Sequence, residues 1–427
     1  MQSGRKGDNE PLGTPINVVH ALHRCGDSRE NLLRLLVELF PGGGQLHASR
    51  GPHKQSALQL LLKRFDLTAE NRLGDVKLLR RPAEVPVLGH RDEVAELAQI
   101  KIHAFTVSIA QEGYWTPQAG CPETRNMIVI TAPTGRIGSR LLDILLNEAP
   151  ARGEELRVIV RGPGKLPDAV RARVDVVTGS HDDPEVIDRA FAGADAVFWL
   201  APPDPRAPSL DAAYSGFTRA AAKAFTAHAV GHVVGVSALG RGTPVASRAG
   251  HVTASLAMDD LIASTGVAYR ALANPTFMDN LLRQVASIRD DGVFTDTVSA
   301  DRSAPAAAAR DIAAAAAGLL LDRSWTGTGE VPVLGPEDLS ANDMARIMTD
   351  VLRRPVRYER QSLDDFRAQL TGHGFGDALV EGYVDMMRAK DNGLDDGVQR
   401  TPQTASPTTF RTWCEKVLEP AVRVAQA

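Results

Sequence analysis

Between residues 127 and 274, short runs of aliphatic and β-branched residues alternate with longer stretches whose apolar positions recur every three or four residues. Short runs bounded by turn formers predict strands, and the longer spacing predicts amphipathic helices. The strands fall at 127–131, 156–160, 174–177, 196–200, 232–237 and 268–272, and the longest helix between them spans about 210–230. Strand and helix in regular succession predict an α/β fold, a Rossmann-like, doubly wound parallel sheet. After Asn274 the alternation loosens. An alanine-rich helix begins near Ala306, a short strand covers 331–334, and Leu339 opens another helix behind a Ser/Asn-rich start. The tail, 274–427, therefore reads as a smaller, mostly helical substrate-side region beside a Rossmann domain at 127–273.

Residues 1–126 lack this alternation. They carry helix-like spacing at 28–40, 55–65 and 92–111, then a polar stretch, 112–126, punctuated by Pro117, Gly120 and Pro122. They predict a helical or poorly ordered extension of unknown role. Two explanations stay open, because Met127 stands just before the first strand: an added domain, or a start assigned too far upstream.

With 427 residues, 43% of them hydrophobic, the chain is long enough for two or three domains with real cores. A formal charge of −4 leaves no basic field for nucleic acid or an anionic membrane, and the 16 basic and 14 acidic residues of 1–126 change that little. Cys25, Cys121 and Cys414 form no CxxC pair, which argues against a disulfide framework and a thiolate zinc site. His20 and His23 lack an evident third ligand, and His228 and His232 straddle a helix end, so no metal is expected. No apolar stretch reaches the roughly 20 residues of a membrane span, and the expected location is the cytoplasm.

The sharpest chemical signal is Ile130-Thr-Ala-Pro-Thr-Gly-Arg-Ile-Gly138, set between the first strand and a helix. That context suits a dinucleotide fingerprint. Gly135 would let the backbone approach a pyrophosphate, Gly138 would let the helix pack against the sheet, and the helix N-terminus would supply amide donors. Pro133 has no N–H, so the donors come after it. The second strand ends in Arg161, with Lys165 four residues on, where NAD-specific folds carry an acidic residue for the ribose hydroxyls. Cations there, joined by Arg136, favour a 2′-phosphate and hence NADP(H) over NAD(H).

These segments resemble the NmrA-like, atypical short-chain dehydrogenases, which include NAD(P)H:quinone oxidoreductases and azoreductase-like enzymes. The resemblance covers nearly all of 127–427. Its markers are the TAPTGRIG loop, Gly179-Ser-His-Asp-Asp-Pro184, Val197-Phe-Trp-Leu-Ala-Pro-Pro203, Val233-Val-Gly-Val-Ser-Ala238, Leu334-Gly-Pro-Glu-Asp-Leu-Ser340 and Ser406-Pro-Thr-Thr-Phe-Arg-Thr-Trp-Cys414. It implies that Thr134, Gly135, Arg136, Ile137 and Gly138 cradle the pyrophosphate, that Arg161 and Lys165 grip the 2′-phosphate, and that Ala201 and Pro202 border the nicotinamide-side ribose. Two positions depart from the family pattern. Ala132 replaces the first glycine, which is expected to tighten the loop, and Ser180 replaces an Asp near the adenine.

Ordinary short-chain dehydrogenases use a Ser and a Tyr-x-x-x-Lys as proton donor. Here Ser237 occupies the strand-end position of that Ser, but His251 and Ser255 stand where the Tyr and Lys belong, and Tyr214 and Lys223 fall too early in the chain. Ser237 and His251 are thus weak catalytic candidates, and alcohol chemistry is disfavoured. Gly235-Val-Ser-Ala-Leu-Gly240 lacks the second glycine of a nucleophile elbow. The reading is an NADPH-dependent reductase of a small-molecule quinone-like or azo acceptor, as a monomer or homodimer. Its alternative is a dinucleotide-sensing regulator without turnover.

Overall fold

The computed structural model describes residues 126–202 and 204–424. The helices expected at 28–40, 55–65 and 92–111, the polar stretch before Asn126 and the His20/His23 pair lie outside those residues.

All six expected strands form, as β1 (Asn126–Ile130), β2 (Glu154–Val160), β3 (Asp175–Thr178), β4 (Ala196–Trp199), β5 (His232–Ala238) and β6 (Ala268–Asn274). Beyond them come β7 (Thr276–Phe277), β8 (Val293–Asp296), β9 (Ala304–Ala307), β10 (Thr328–Pro332), β11 (Asp338–Leu339) and β12 (Arg357–Arg360). One seven-stranded sheet runs in the order β10-β6-β5-β4-β1-β2-β3, parallel throughout. The order reverses beside β1, which opens a crevice at the carboxyl ends of β1 and β4. Two small sheets, β11-β9-β7 and β12-β8, build the C-terminal region.

The main helices are α1 (Arg136–Glu148), α2 (Pro184–Phe191), α3 (Phe217–Ala227), α4 (His251–Ala263), α5 (Ala309–Leu321), α6 (Ala341–Leu352), α7 (Leu363–Gly372) and α8 (Asp377–Asp391). In β1, Ile128 and Ile130 join one apolar layer with Leu141 and Leu145 of α1 and Ile312 and Ala316 of α5. Met127 and Val129 join the opposite layer with Ile187 of α2, Phe225 of α3 and Ile262 of α4. Burial on both faces explains why the central strands read as apolar runs rather than alternations. A separate cluster around Phe294, Met348, Phe410 and Trp413 holds the C-terminal region together.

Several boundaries differ from expectation. Ala306 lies in β9, and the alanine-rich helix starts only at Ala309, because Pro305 pushes its predecessor into extended backbone and the Asp279 carboxylate accepts the Ala309 N–H at 2.9 Å. Leu339 ends β11; Ser340 and Asp343 form the capping box that starts α6. The strand expected at 331–334 lies at Thr328–Pro332 and joins the main sheet beside β6. The long helix is interrupted by a π-helical turn, Ala212–Gly216, ahead of α3.

Candidate active site

Thr131 is fully buried and ties two strand ends together. Its hydroxyl donates to the Phe198 carbonyl at 2.9 Å and accepts from the Leu200 N–H at 3.0 Å. Ala132 then turns at φ +49°. The alanine therefore keeps the left-handed turn a glycine would make, at a cost of about 1 kcal/mol, instead of tightening the loop. That turn dictates Gly138, where a Cβ would lie 2.1 Å from the Ala132 carbonyl oxygen. No side chain caps α1 and its first turn has no acidic residue, so its leading amides stay free to donate to an anion. Thr134, Gly135, Arg136, Ser139, Arg140 and Asp143 line a cleft of about 360 Å³, together with Asp279 and Leu282. This arrangement fits a dinucleotide pyrophosphate.

Thr134, Gly135 and Arg136 are exposed on the cleft, whereas Ile137 and Gly138 are buried and offer only backbone. Arg161 follows β2 directly, and Lys165 closes the short turn Pro163–Lys165 with its stem over Gly162. Both are exposed, and neither has an ion-pair partner among the described residues. Ala201 and Pro202 follow a residue held through both of its peptide groups: the Leu200 N–H donates to the Thr131 hydroxyl, and the Leu200 carbonyl accepts from His181 Nε2 at 2.8 Å. The His181 ring packs edge-on against Trp199 and Phe217, and burial lowers its pKa, which keeps it neutral. Thr131, His181 and Arg140 escaped the sequence reading, although the first two stand inside segments quoted for the resemblance. Nothing in their residue types marks them as anchors.

Ser237 and His251 are not brought together. The Ser237 hydroxyl donates to the Asp259 carboxylate of α4, which also accepts from the Tyr269 hydroxyl at 2.6 Å. Ser255 Oγ lies 3.3 Å from Ser237 Oγ. Burial pushes Asp259 up to about 7. Ser237 thus points into a closed network between the sheet and α4. His251 opens α4 just after Gly250, at φ +52°, where a Cβ would lie 1.9 Å from the Gly382 carbonyl oxygen. The close approach sets α8 against α4. His251 Nε2 donates to the Leu379 carbonyl at 3.0 Å, which leaves Nδ1 to accept from the Tyr214 hydroxyl at 3.1 Å. Both nitrogens are committed, and burial lowers the ring's pKa. Tyr214, too early for a Tyr-x-x-x-Lys, reaches His251 from the π-helical turn; no sequence signal marks such a turn.

Fold and loop together define a Rossmann-type protein that takes a nicotinamide dinucleotide. A family model described as NAD(P)H-binding matches residues 133–323. The chain is 30% identical over 296 residues to the (4-alkanoyl-5-oxo-2,5-dihydrofuran-3-yl)methyl phosphate reductase of Streptomyces griseus, covering 67% of this chain and 96% of that protein. It is 25% identical to quinone oxidoreductase 2 of Escherichia coli, covering 66% and 95%. Its fold is similar to that of Citrobacter sp. triphenylmethane reductase, solved with NADP(H), at a TM-score of 0.56 and 19% identity over 70% and 99%. A similar fold at a TM-score of 0.53 and 14% identity, over 71% and 99%, is that of NmrA, a negative transcriptional regulator, in complex with NADP. The chain belongs to the NmrA-like, atypical short-chain dehydrogenase family, and it binds NAD(P)H.

Proposed function

We propose that this protein is an NADPH-dependent reductase of a small, planar, conjugated acceptor of the quinone or azo type. The observation that carries this reading is the uncapped start of α1 beside the exposed cations Arg136, Arg161 and Lys165. Together they suit a pyrophosphate and a 2′-phosphate. When bound, the reduced dinucleotide supplies a hydride. The N–H groups of Arg136, Ile137 and Gly138 hold the pyrophosphate beside Thr134 and Gly135, the latter's own N–H being taken by the Ala132 carbonyl, and Thr131 and His181 fix Leu200 so that Ala201 and Pro202 border the nicotinamide side. Ser237 and His251 have their polar atoms committed inside the protein, so the proton comes from water and rate comes chiefly from the positioning of two rings. The names of the Streptomyces and Escherichia coli relatives, an oxo-dihydrofuran reductase and a quinone oxidoreductase, point to the same acceptor chemistry.

The test is the steady-state oxidation of NADPH with a panel of quinones and azo dyes. Turnover with at least one acceptor, faster with NADPH than with NADH, is expected. Tight NADPH binding with no turnover on any acceptor would leave the sensor.

A further inference from the structure

A second cavity, of about 250 Å³, lies where the turn Leu394–Gly397 meets the small sheet of β9 and β11. Pro305 and Asp338 pair across that sheet, and both line the cavity. Leu394 anchors the turn: it is fully buried, and a Cβ on Gly240, two residues past β5, would lie 2.6 Å from its Cδ1. Leu334 lines another part of the cavity from a cluster with Leu239 and Ala273, against which Val398 packs. No residue is shared with the dinucleotide cleft. The volume is several times the ~30 Å³ share of a single water, which leaves room for a small organic molecule.

Asp395 lines this cavity although its side chain is only 4% exposed. Its Oδ2 accepts from the Lys390 ammonium at 2.7 Å, while its Oδ1 is buried with no hydrogen-bond partner among the described residues. A buried carboxylate oxygen without a donor is costly, so the site favours a ligand that brings one. Asp396, next along the turn, accepts from Arg302 through Oδ1 at 2.6 Å. Neither Lys390 nor Arg302 lines the cavity. Arg400 does, but its guanidinium is spent on both oxygens of Asp338 and on the Gly335 carbonyl at 2.7 Å. A ligand entering here therefore meets three carboxylates and one guanidinium that is already committed.

We propose that this cavity is a binding site for a small aliphatic amine in its ammonium form, separate from the dinucleotide cleft. The proposal goes beyond the reductase reading and does not depend on it. An ammonium group carries three N–H donors and no acceptor, which complements carboxylates that only accept. It donates to Asp395 Oδ1 and to the Asp396 carboxylate, and its alkyl body lies against Leu334, Val398 and Pro305. A neutral alcohol of the same length offers one O–H and no charge, and charge-assisted bonds are about twice as strong as neutral ones. An anion is repelled by the carboxylates and finds no free guanidinium.

Calorimetry on the full chain at low ionic strength compares n-butylamine, a cation at neutral pH, with n-butanol, neutral and of the same chain length. The amine is expected to bind about 10-fold more tightly or better, by a margin that shrinks as salt is added. Asp395→Asn keeps the shape and removes the charge, and should erase the margin; Asp396→Asn, at an exposed position, should reduce it. Both variants should bind NADP⁺ as the unmutated protein does, which reports that they are folded and that the two sites are separate. If Asp395→Asn has lost NADP⁺ binding, Asp396→Asn decides. Equal affinity for amine and alcohol, no binding of the amine, or a margin kept in every variant that folds overturns the site.

Discussion

On the proposed reading, cofactor choice turns on Arg161. It stands at the carboxyl end of β2, exposed, with no carboxylate among the described residues to hold it. A charge-assisted bond to a 2′-phosphate contributes about 1.5–3 kcal/mol, so Arg161→Ala should weaken NADPH binding roughly 10-fold or more and leave NADH nearly unchanged. Titration calorimetry showing equal losses for both dinucleotides would remove the assignment. Ser237 and His251 present the opposite case, since their hydrogen bonds end inside the protein. Replacing either by alanine should lower turnover with a quinone by about 10-fold or less, against the ~10² to 10⁴ of a removed general acid or base. His251→Ala should instead lose about 1–3 kcal/mol in urea unfolding, because the Leu379 carbonyl and Tyr214 hydroxyl are left unpaired. A thousandfold loss of turnover at saturating NADPH with cofactor binding intact would make His251 a proton donor. The strand-to-helix turn at 131–138 was legible in the sequence because Gly138 has a geometric reason to be there, the close approach of the Ala132 carbonyl. The partners of Ser237 and His251 were not, since Asp259, Tyr269, Tyr214 and Leu379 meet them only through the packing of elements far apart in the chain.

At the scale of elements, β5, β6 and α4 share one buried carboxylate. Gly235 makes the room: a Cβ there would lie 2.3 Å from the Tyr269 hydroxyl, which needs that space to reach Asp259. Burial lifts Asp259 from an ordinary 3.8 to about 7, outweighing the hydrogen bonds from Ser237 and Tyr269. The folded state therefore keeps a proton that the unfolded chain releases. The stability linked to that proton is complete below about pH 4 and is lost as pH rises through about 7, a difference of roughly 2–4 kcal/mol. Asp259→Asn keeps the shape and removes the titration. Urea unfolding should show the unmutated protein losing stability between about pH 5 and pH 8 relative to the Asn variant, and parallel curves would refute the linkage. The central strands were readable because two-sided burial makes β1 and β4 continuous apolar runs. Helix starts were harder, as Ala306 and Leu339 show: both look helical by composition, but Pro305 and the Ser340 capping box fix the boundary. The place of β10 beside β6 was illegible for another reason. Parallel strands pair across a long crossover, and nothing local in Thr328–Pro332 names its neighbour.

For the whole molecule, the described residues close their own layers. Both faces of the seven-stranded sheet are covered by helices from within 126–424: α1 and α5 on one side, and α2, α3 and α4 on the other. The C-terminal region contributes β10 to the same sheet, so residues after 274 complete the core. Each apolar strand thus has its cover without the first 125 residues. At the upstream end, the Met127 N–H donates to the Asp195 carboxylate at 2.8 Å. In a chain shortened to begin at Met127, the terminal ammonium would occupy that position and convert a hydrogen bond into a charge-assisted one, offsetting the lost pairing of Asn126 with Glu154. Residues 127–427 produced alone should therefore fold cooperatively and bind NADPH within about threefold of the full chain's affinity. Far-ultraviolet circular dichroism with thermal melting, followed by NADPH titration of both forms, measures this directly. A soluble, cooperative fragment of equal affinity would show that the dinucleotide site and its supporting core owe nothing to residues 1–126. An insoluble or non-binding fragment would show that the upstream segment supplies part of the folding free energy, and would shift attention to the apolar helical spacing at 28–40, 55–65 and 92–111 as its source.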